Sequence, residues 1–198
     1  LVFDLPLGER LFSGEVEEPL SWVLAIIALS FAFGGLSVFN LSFLLSPYFI
    51  GVFLGFALHE LAHRGIARMY GMHASFIAFI PGLIITFISG FLPFAIIAPG
   101  YVRVFPLGGW VWDRNSILYS IAAGPAANII LSLVSLLLLN MTNLHSFKVI
   151  AFINSWIAFF NLLPIPPLDG SKIFNLNFTL WTLMILLSLV LLMVSGWL

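Results

Sequence analysis

From Pro19 to Leu58 the chain carries no charged residue, and His59-Glu60-Leu61-Ala62-His63 follows at once. No other feature constrains the fold as strongly. The stretch is too long for one buried core helix and has room for two membrane helices of about 20 residues each. The rest of the 198 residues agrees, being 62% hydrophobic and only 8% charged, against about 25% charged in a soluble domain. The sequence therefore predicts an all-α polytopic membrane protein. Cysteine is absent, which excludes disulfides and thiolate metal ligands. A net charge of −1 argues against a nucleic-acid partner.

Five transmembrane helices are expected, over residues 20–39, 48–70, 116–140, 148–163 and 178–198. Residues 1–19, with Asp4, Glu9, Arg10, Glu15, Glu17 and Glu18, read as an interfacial leader with no role beyond solubility. Residues 20–198 read as one membrane-embedded domain, with no signal peptide and no soluble appendage. The stretch 76–99 is apolar enough to span but is interrupted by Pro81, Gly82, Gly90, Pro93 and Pro99. A regular helix there would lose backbone hydrogen bonds that lipid cannot replace. A re-entrant element, of which a β-hairpin is one form, is the better expectation.

An ionisable group at depth costs roughly 2.5–3.5 kcal/mol even on lenient insertion scales, so His59, Glu60 and His63 need a use. At i and i+4 the two imidazoles share one helix face. That spacing supplies two corners of a tetrahedral zinc site, with the adjacent Glu60 suited to a general base. The same pattern also fits two buried histidines hydrogen-bonded to neighbouring helices, with Glu60 as counter-ion. A third ligand would decide, and after Arg114 the only acidic residue is Asp169, in Pro166-Pro167-Leu168-Asp169-Gly170. Asp-Gly after prolines is also ordinary turn chemistry, but beside a His-Glu-x-x-His helix in a chain nearly empty of acids a carboxylate ligand is the better account.

Taken together, His59-Glu60-Leu61-Ala62-His63, Asn161 with Pro167-Leu168-Asp169-Gly170, and the intervening Gly124-Pro125-x-x-Asn128 resemble the site-2 protease family of intramembrane zinc metalloproteases. The form is minimal, without a PDZ domain, and the resemblance covers a catalytic core of residues 48–175. It implies one zinc per chain held by His59, His63 and Asp169, a zinc-bound water as nucleophile, and Glu60 as general base. It implies that Asn161 contacts the substrate or the developing oxyanion. The family's usual Asn-Pro-Asp-Gly is here Pro-Pro-Leu-Asp-Gly, which keeps the ligand and its glycine. Implied partners are a transmembrane protein substrate and the lipid bilayer, with the oligomeric state left open. Gly124 and Asn128 read as close-packing residues, His73 and His145 as solvated loop residues.

Topology bears on the same idea. His59 and Asp169 reach one depth only if residues 76–99 make no net crossing. Arg64, Arg68, Arg103, Arg114 and Lys172 then share one face, opposite Lys148, and the positive-inside rule makes that face cytoplasmic. The expected location is the cell membrane, multi-pass, with the site near the cytoplasmic side. Two rivals remain at this stage. One is a transporter or channel using the His/Glu/Asp cluster as an ion site, which would favour an internal repeat that the sequence lacks. The other is a membrane metalloprotease with a glutamate third ligand, and no glutamate follows Glu60.

Overall fold

The computed structural model of the chain describes residues 15–16, 18–106 and 113–197. A short strand, β1 (Glu15–Val16), precedes α1 (Leu20–Gly34), which ends where Gly35 adopts φ +54° and two 3₁₀ turns carry the chain to Leu45. The site helix α2 (Pro47–Met69) starts sharply. The Ser46 hydroxyl accepts the Phe49 N–H at 3.2 Å and Pro47 occupies the first turn, where no N–H is required. Strand β2 (Met72–Phe79), helix α3 (Ile80–Ser89) and strand β3 (Gly100–Pro106) follow. The remainder is helical: α4 (Arg114–Thr142), α5 (His145–Asn161), α6 (Asp169–Leu176) and α7 (Phe178–Trp197). Asp113 caps α4 by accepting the Ser116 N–H at 2.6 Å, and hydrogen bonds from Ser116 hold its carboxyl below the usual carboxylate range.

The protein is thus mainly helical but not all-α. A three-stranded antiparallel sheet, ordered β1-β2-β3, sits against the helices, with Met72 opposite Pro106 and Ala78 opposite Gly100. This pairing explains the broken stretch. Its two ends lie side by side in one sheet, and the ten residues of α3 extend only about 15 Å, half of a hydrocarbon core of about 30 Å. The segment leaves the sheet and returns to it. Pro81 lies in the first turn of α3 and Gly90 caps its end, so the breakers mark boundaries rather than kinks.

Among the described residues three helical segments are long and apolar enough to cross a membrane: Leu20–Phe39, Arg114–Thr142 and Phe178–Gly196. The two expected spans that fall outside this set are those carrying site residues. Helix α2 is long enough but made polar by its motif, and α5 has 17 residues, short of the usual 20 or so. The leader also departs from expectation. Residues 1–14 and 17 lie outside the described residues, but Glu15 and Val16 pair with Phe79 and Ala78 of β2, and Glu18 is bonded into the fold. His73 lies in β2 and His145 opens α5, both exposed and neither in a loop.

Two apolar clusters flank the site. One joins Ala25 and Leu29 of α1, Val52 and Phe56 of α2, Phe76 of β2, Ile97, and Ile153 and Ile157 of α5. The other joins α4, α5, α6 and α7 around Leu118, Leu162, Ile173 and Met184.

Candidate metal centre

His59, Glu60 and His63 lie on the buried face of α2, at 5%, 4% and 3% exposure. Asp169 reaches them from the first turn of α6. The Asp-Gly of the sequence thus starts a helix instead of making a simple turn. Gly170 is essential to the approach, since a Cβ there would overlap the Leu162 carbonyl. Asp169 Oδ2 stands 3.1 Å from His63 Nε2 and 3.4 Å from His59 Nε2, and the two Nε2 atoms are 3.0 Å apart. Lys172, one turn on, lies 3.6 Å from the other carboxylate oxygen, Oδ1.

The far side of each ring fixes its tautomer. His63 Nδ1 is 2.7 Å from the Ser120 carbonyl, which can only accept, so Nδ1 carries the hydrogen. His59 Nδ1 is 2.7 Å from Asn128 Oδ1. The orientation of that amide is fixed in turn, because Asn128 Nδ2 donates to the Gly55 carbonyl at 2.9 Å and to Asn154 Oδ1 at 3.0 Å. Asn154 is anchored by donating to the Ile150 and Gly51 carbonyls. The chain ends on backbone oxygens, so His59 Nδ1 is also a donor. Both Nε2 atoms therefore turn lone pairs toward a common point that a carboxylate oxygen also faces. A single proton would satisfy two of these three acceptors, whereas a divalent cation satisfies all three. Second-side hydrogen bonds of this kind are how metal-binding histidines are oriented. The donor set of two imidazoles and one carboxylate fits zinc, and these ligand atoms lie within 4.8 Å of one another.

Glu60 lines two clefts that open beside these residues. Its Oε2 is buried and has no hydrogen-bond partner among the described residues. A cleft lined by His59, Glu60, His63, Gly100, Tyr101 and Asp169 opens on one side, and Asn161 lines it too. Asn161 is the last residue of α5. One N–H of its amide is bound to the Ile157 carbonyl at 2.9 Å, which leaves the rest of the amide to the cleft.

The structure thus brings together all five residues singled out in the sequence. It adds Ser120, Asn128, Asn154 and Gly124. The last two α4 residues were read as packing residues, and their role is more specific. A Cβ on Gly124 would overlap His63 Nε2 and lie 2.7 Å from His59 Nε2, so the α4 backbone itself forms one wall of the centre. The available signal was the spacing of Ser120, Gly124 and Asn128 at successive i+4 positions on α4, which places them on one face. Pro125 removes an N–H from the same turn and loosens it beside the Ser120 carbonyl that His63 uses. Arg103, expected at the interface, is buried at 8% exposure.

A buried pair of i, i+4 histidines closed by a carboxylate, with a glutamate beside them, defines a metallopeptidase class of site. Residues 138–191 match the family described as Peptidase family M50. The chain is 33% identical over 179 residues to Putative zinc metalloprotease MJ0611 of Methanocaldococcus jannaschii, covering 87% of this chain and 91% of that protein. It is 29% identical over 158 residues to Putative zinc metalloprotease YwhC of Bacillus subtilis, covering 65% and 68%. No solved structure matches. The chain belongs to peptidase family M50, the site-2 protease family.

Proposed function

We propose that the protein is an intramembrane zinc metalloprotease that hydrolyses peptide bonds within or near transmembrane helices of membrane-protein substrates. The family and the names of its relatives support the coarser reading, a zinc metalloprotease. The observation that carries the proposal is the convergence of His59 Nε2, His63 Nε2 and Asp169 Oδ2 with both Nδ1 hydrogens committed elsewhere.

In this reading His59, His63 and Asp169 hold one zinc per chain. Bound zinc would act as a Lewis acid and bring the pKa of a water toward about 7. Glu60 Oε2, buried and unpartnered among the described residues, takes up the proton of the attacking water and returns it to the leaving amine. Asn161 Nδ2 donates to the carbonyl oxygen as it gains charge, an interaction worth about 2.7–4 kcal/mol in enzymes that use it. Strand β3 terminates the sheet order, and its residues Gly100, Tyr101 and Val102 line the cleft with the catalytic groups. A locally unwound substrate segment can add to that edge through backbone hydrogen bonds. An intact helix cannot, because its N–H and C=O groups are already paired.

The reading places the protein in the cell membrane, multi-pass, with the site near the cytoplasmic face. Arg114 at the start of α4 donates to the Leu176 carbonyl at the end of α6, and Lys172 of α6 lies 3.6 Å from Asp169, so two of the basic residues belong to the helix pair that carries Asp169. Because the chain has no cysteine, single cysteines at Ser75, Asn115 and Asn177 should label together with an impermeant thiol reagent, and one at Asn143 from the opposite side. Asn115 labelling with Asn143 would overturn the topology.

The enzymatic test pairs two variants. Glu60→Gln should retain zinc and lose proteolysis, since an amide cannot take up the proton. Asp169→Ala should lose both, read by elemental analysis and by cleavage in micelles. Unimpaired cleavage by Glu60→Gln, or full zinc retention with activity in Asp169→Ala, would sink these assignments.

A further inference from the structure

A second, apolar cleft opens from the same catalytic groups. Its apolar walls are Leu29 of α1, Phe56 of α2, Phe76 of β2, Ile97 and Ile157 of α5, and His59, Glu60 and Asn161 line it as well. Helical spacing makes the connection direct. Phe56 lies one turn before Glu60 on α2, and Ile157 one turn before Asn161 on α5, so each wall residue stacks beneath a catalytic one. Phe56 meets Phe76 edge to face at 5.1 Å between ring centroids, closing the back. All five wall residues are buried, none above 5% exposed, and belong to one apolar cluster.

We infer that this cleft is a substrate subsite that receives a small apolar side chain, alanine before all, from one of the two residues sharing the scissile bond. The inference rests on the protease reading above. A carbonyl placed for attack must lie near Glu60 and Asn161, and both line this cleft as well as the polar one. In an extended segment successive side chains point to opposite sides. One neighbour of the reacting carbonyl therefore faces the polar cleft with Asp169, and the other faces the apolar one. The size selects the residue. The cavity measures about 30 Å³, somewhat more than the roughly 10–15 Å³ that a single water needs, which suits a small side chain. A leucine or phenylalanine side chain would have to displace walls that are close-packed on their far side. The apolar lining disfavours serine, whose hydroxyl would compete for the carboxylate and amide needed in the reaction.

The test uses the zinc-loaded full chain in detergent micelles with a library of single-span peptides whose central positions are randomised. Cleavage sites are read by mass spectrometry. The expected profile shows one position adjacent to the scissile bond where alanine exceeds leucine and phenylalanine by about tenfold or more, the scale at which apolar pockets discriminate. Leu29→Ala and, independently, Ile97→Ala should admit valine and leucine at that position while still cleaving alanine peptides. Two variants are used so that one failing to fold leaves the other informative. Zinc content and size-exclusion behaviour report folding. An unchanged preference order in a folded variant, or no small-residue preference beside the scissile bond, overturns the subsite and leaves the protease reading intact. Cleavage by the wild-type chain no greater than by Glu60→Gln overturns the protease reading, and the subsite with it.

Discussion

The two sides of the centre are built differently. Behind the imidazoles, α2, α4 and α5 are locked by side-chain hydrogen bonds that run from His59 through Asn128 and Asn154 to backbone carbonyls. Gly55 and Gly124 let the helices approach, since a Cβ on either would strike Asn154 or the histidines. In front of the imidazoles stands the sheet, which offers a strand edge at Gly100–Val102 and apolar side chains such as Phe76. Directional bonds to defined partners hold one geometry. A strand edge and an apolar cleft accept chains of varied sequence. The rear should therefore govern the metal and the front the substrate, and substitutions can separate the two.

The largest effect is expected at Gly124→Ala, behind the rings. The added methyl overlaps His63 Nε2 and crowds His59 Nε2, so at least one imidazole must leave its position. Zinc should fall well below one per chain, and kcat/KM by about hundredfold or more, the penalty of an ångström-scale misplacement. Elemental analysis on folded protein checks the first and turnover the second. Normal zinc with a raised KM would break the division of labour.

Next comes Asn128→Leu. It keeps the branched side chain and its heavy-atom count but removes the acceptor for His59 Nδ1 and the donors to Gly55 and Asn154. Loss of an outer hydrogen bond to a metal ligand typically costs 10–100-fold in metal affinity. Chelator competition should show a loss in that range, excess zinc should restore cleavage, and KM should stay unchanged once zinc is saturating.

The two sides also differed in how far the sequence disclosed them. The residues that cluster at the centre were legible because charge is scarce: His59, Glu60, His63 and Asp169 stand out in apolar surroundings, and the i, i+4 spacing puts the two histidines on one face. That residues 76–99 do not form one regular helix was legible from Pro81, Gly82 and Gly90, which mark the ends of the short α3. The β-hairpin expected there is present, but its strands, Met72–Phe79 and Gly100–Pro106, flank the broken part, Pro81 to Pro99, instead of lying within it, because their extent is set by pairing with each other. Asn128 looked like a packing amide because its partner, His59, is 69 positions away in sequence. Asn154 lies in an apolar helix with no local feature to mark it. Glu18 looked like one more acid of a polar leader, although its partners lie 46 and 58 positions on. Local pattern exposes what is chemically rare; long-range hydrogen bonds leave no local trace.

Glu18 supplies the smallest and most discriminating test. Its Oε1 accepts from Trp22 Nε1 at 3.0 Å and from the Phe76 N–H at 2.6 Å, and it pairs with Arg64. Arg64, which follows His63, also lies over the Trp22 ring at 5.1 Å. One carboxylate thus ties the N-terminal segment, α2 and β2 together. Glu18→Gln preserves the shape and removes the charge. The Glu18 and Arg64 side chains are 28% and 19% exposed, so solvent screening limits the loss to about 1 kcal/mol. That corresponds to a fall in melting temperature of about 2–4 °C for a chain of this size. If the clasp holds the sheet in register for substrate, KM should rise by up to about fivefold, the equivalent of 1 kcal/mol. Zinc affinity should not change, and the gap between variant and wild type should narrow as salt screens the wild-type pair. A drop in zinc affinity instead would mean that the sheet helps hold the metal, and the separation of rear and front would not stand.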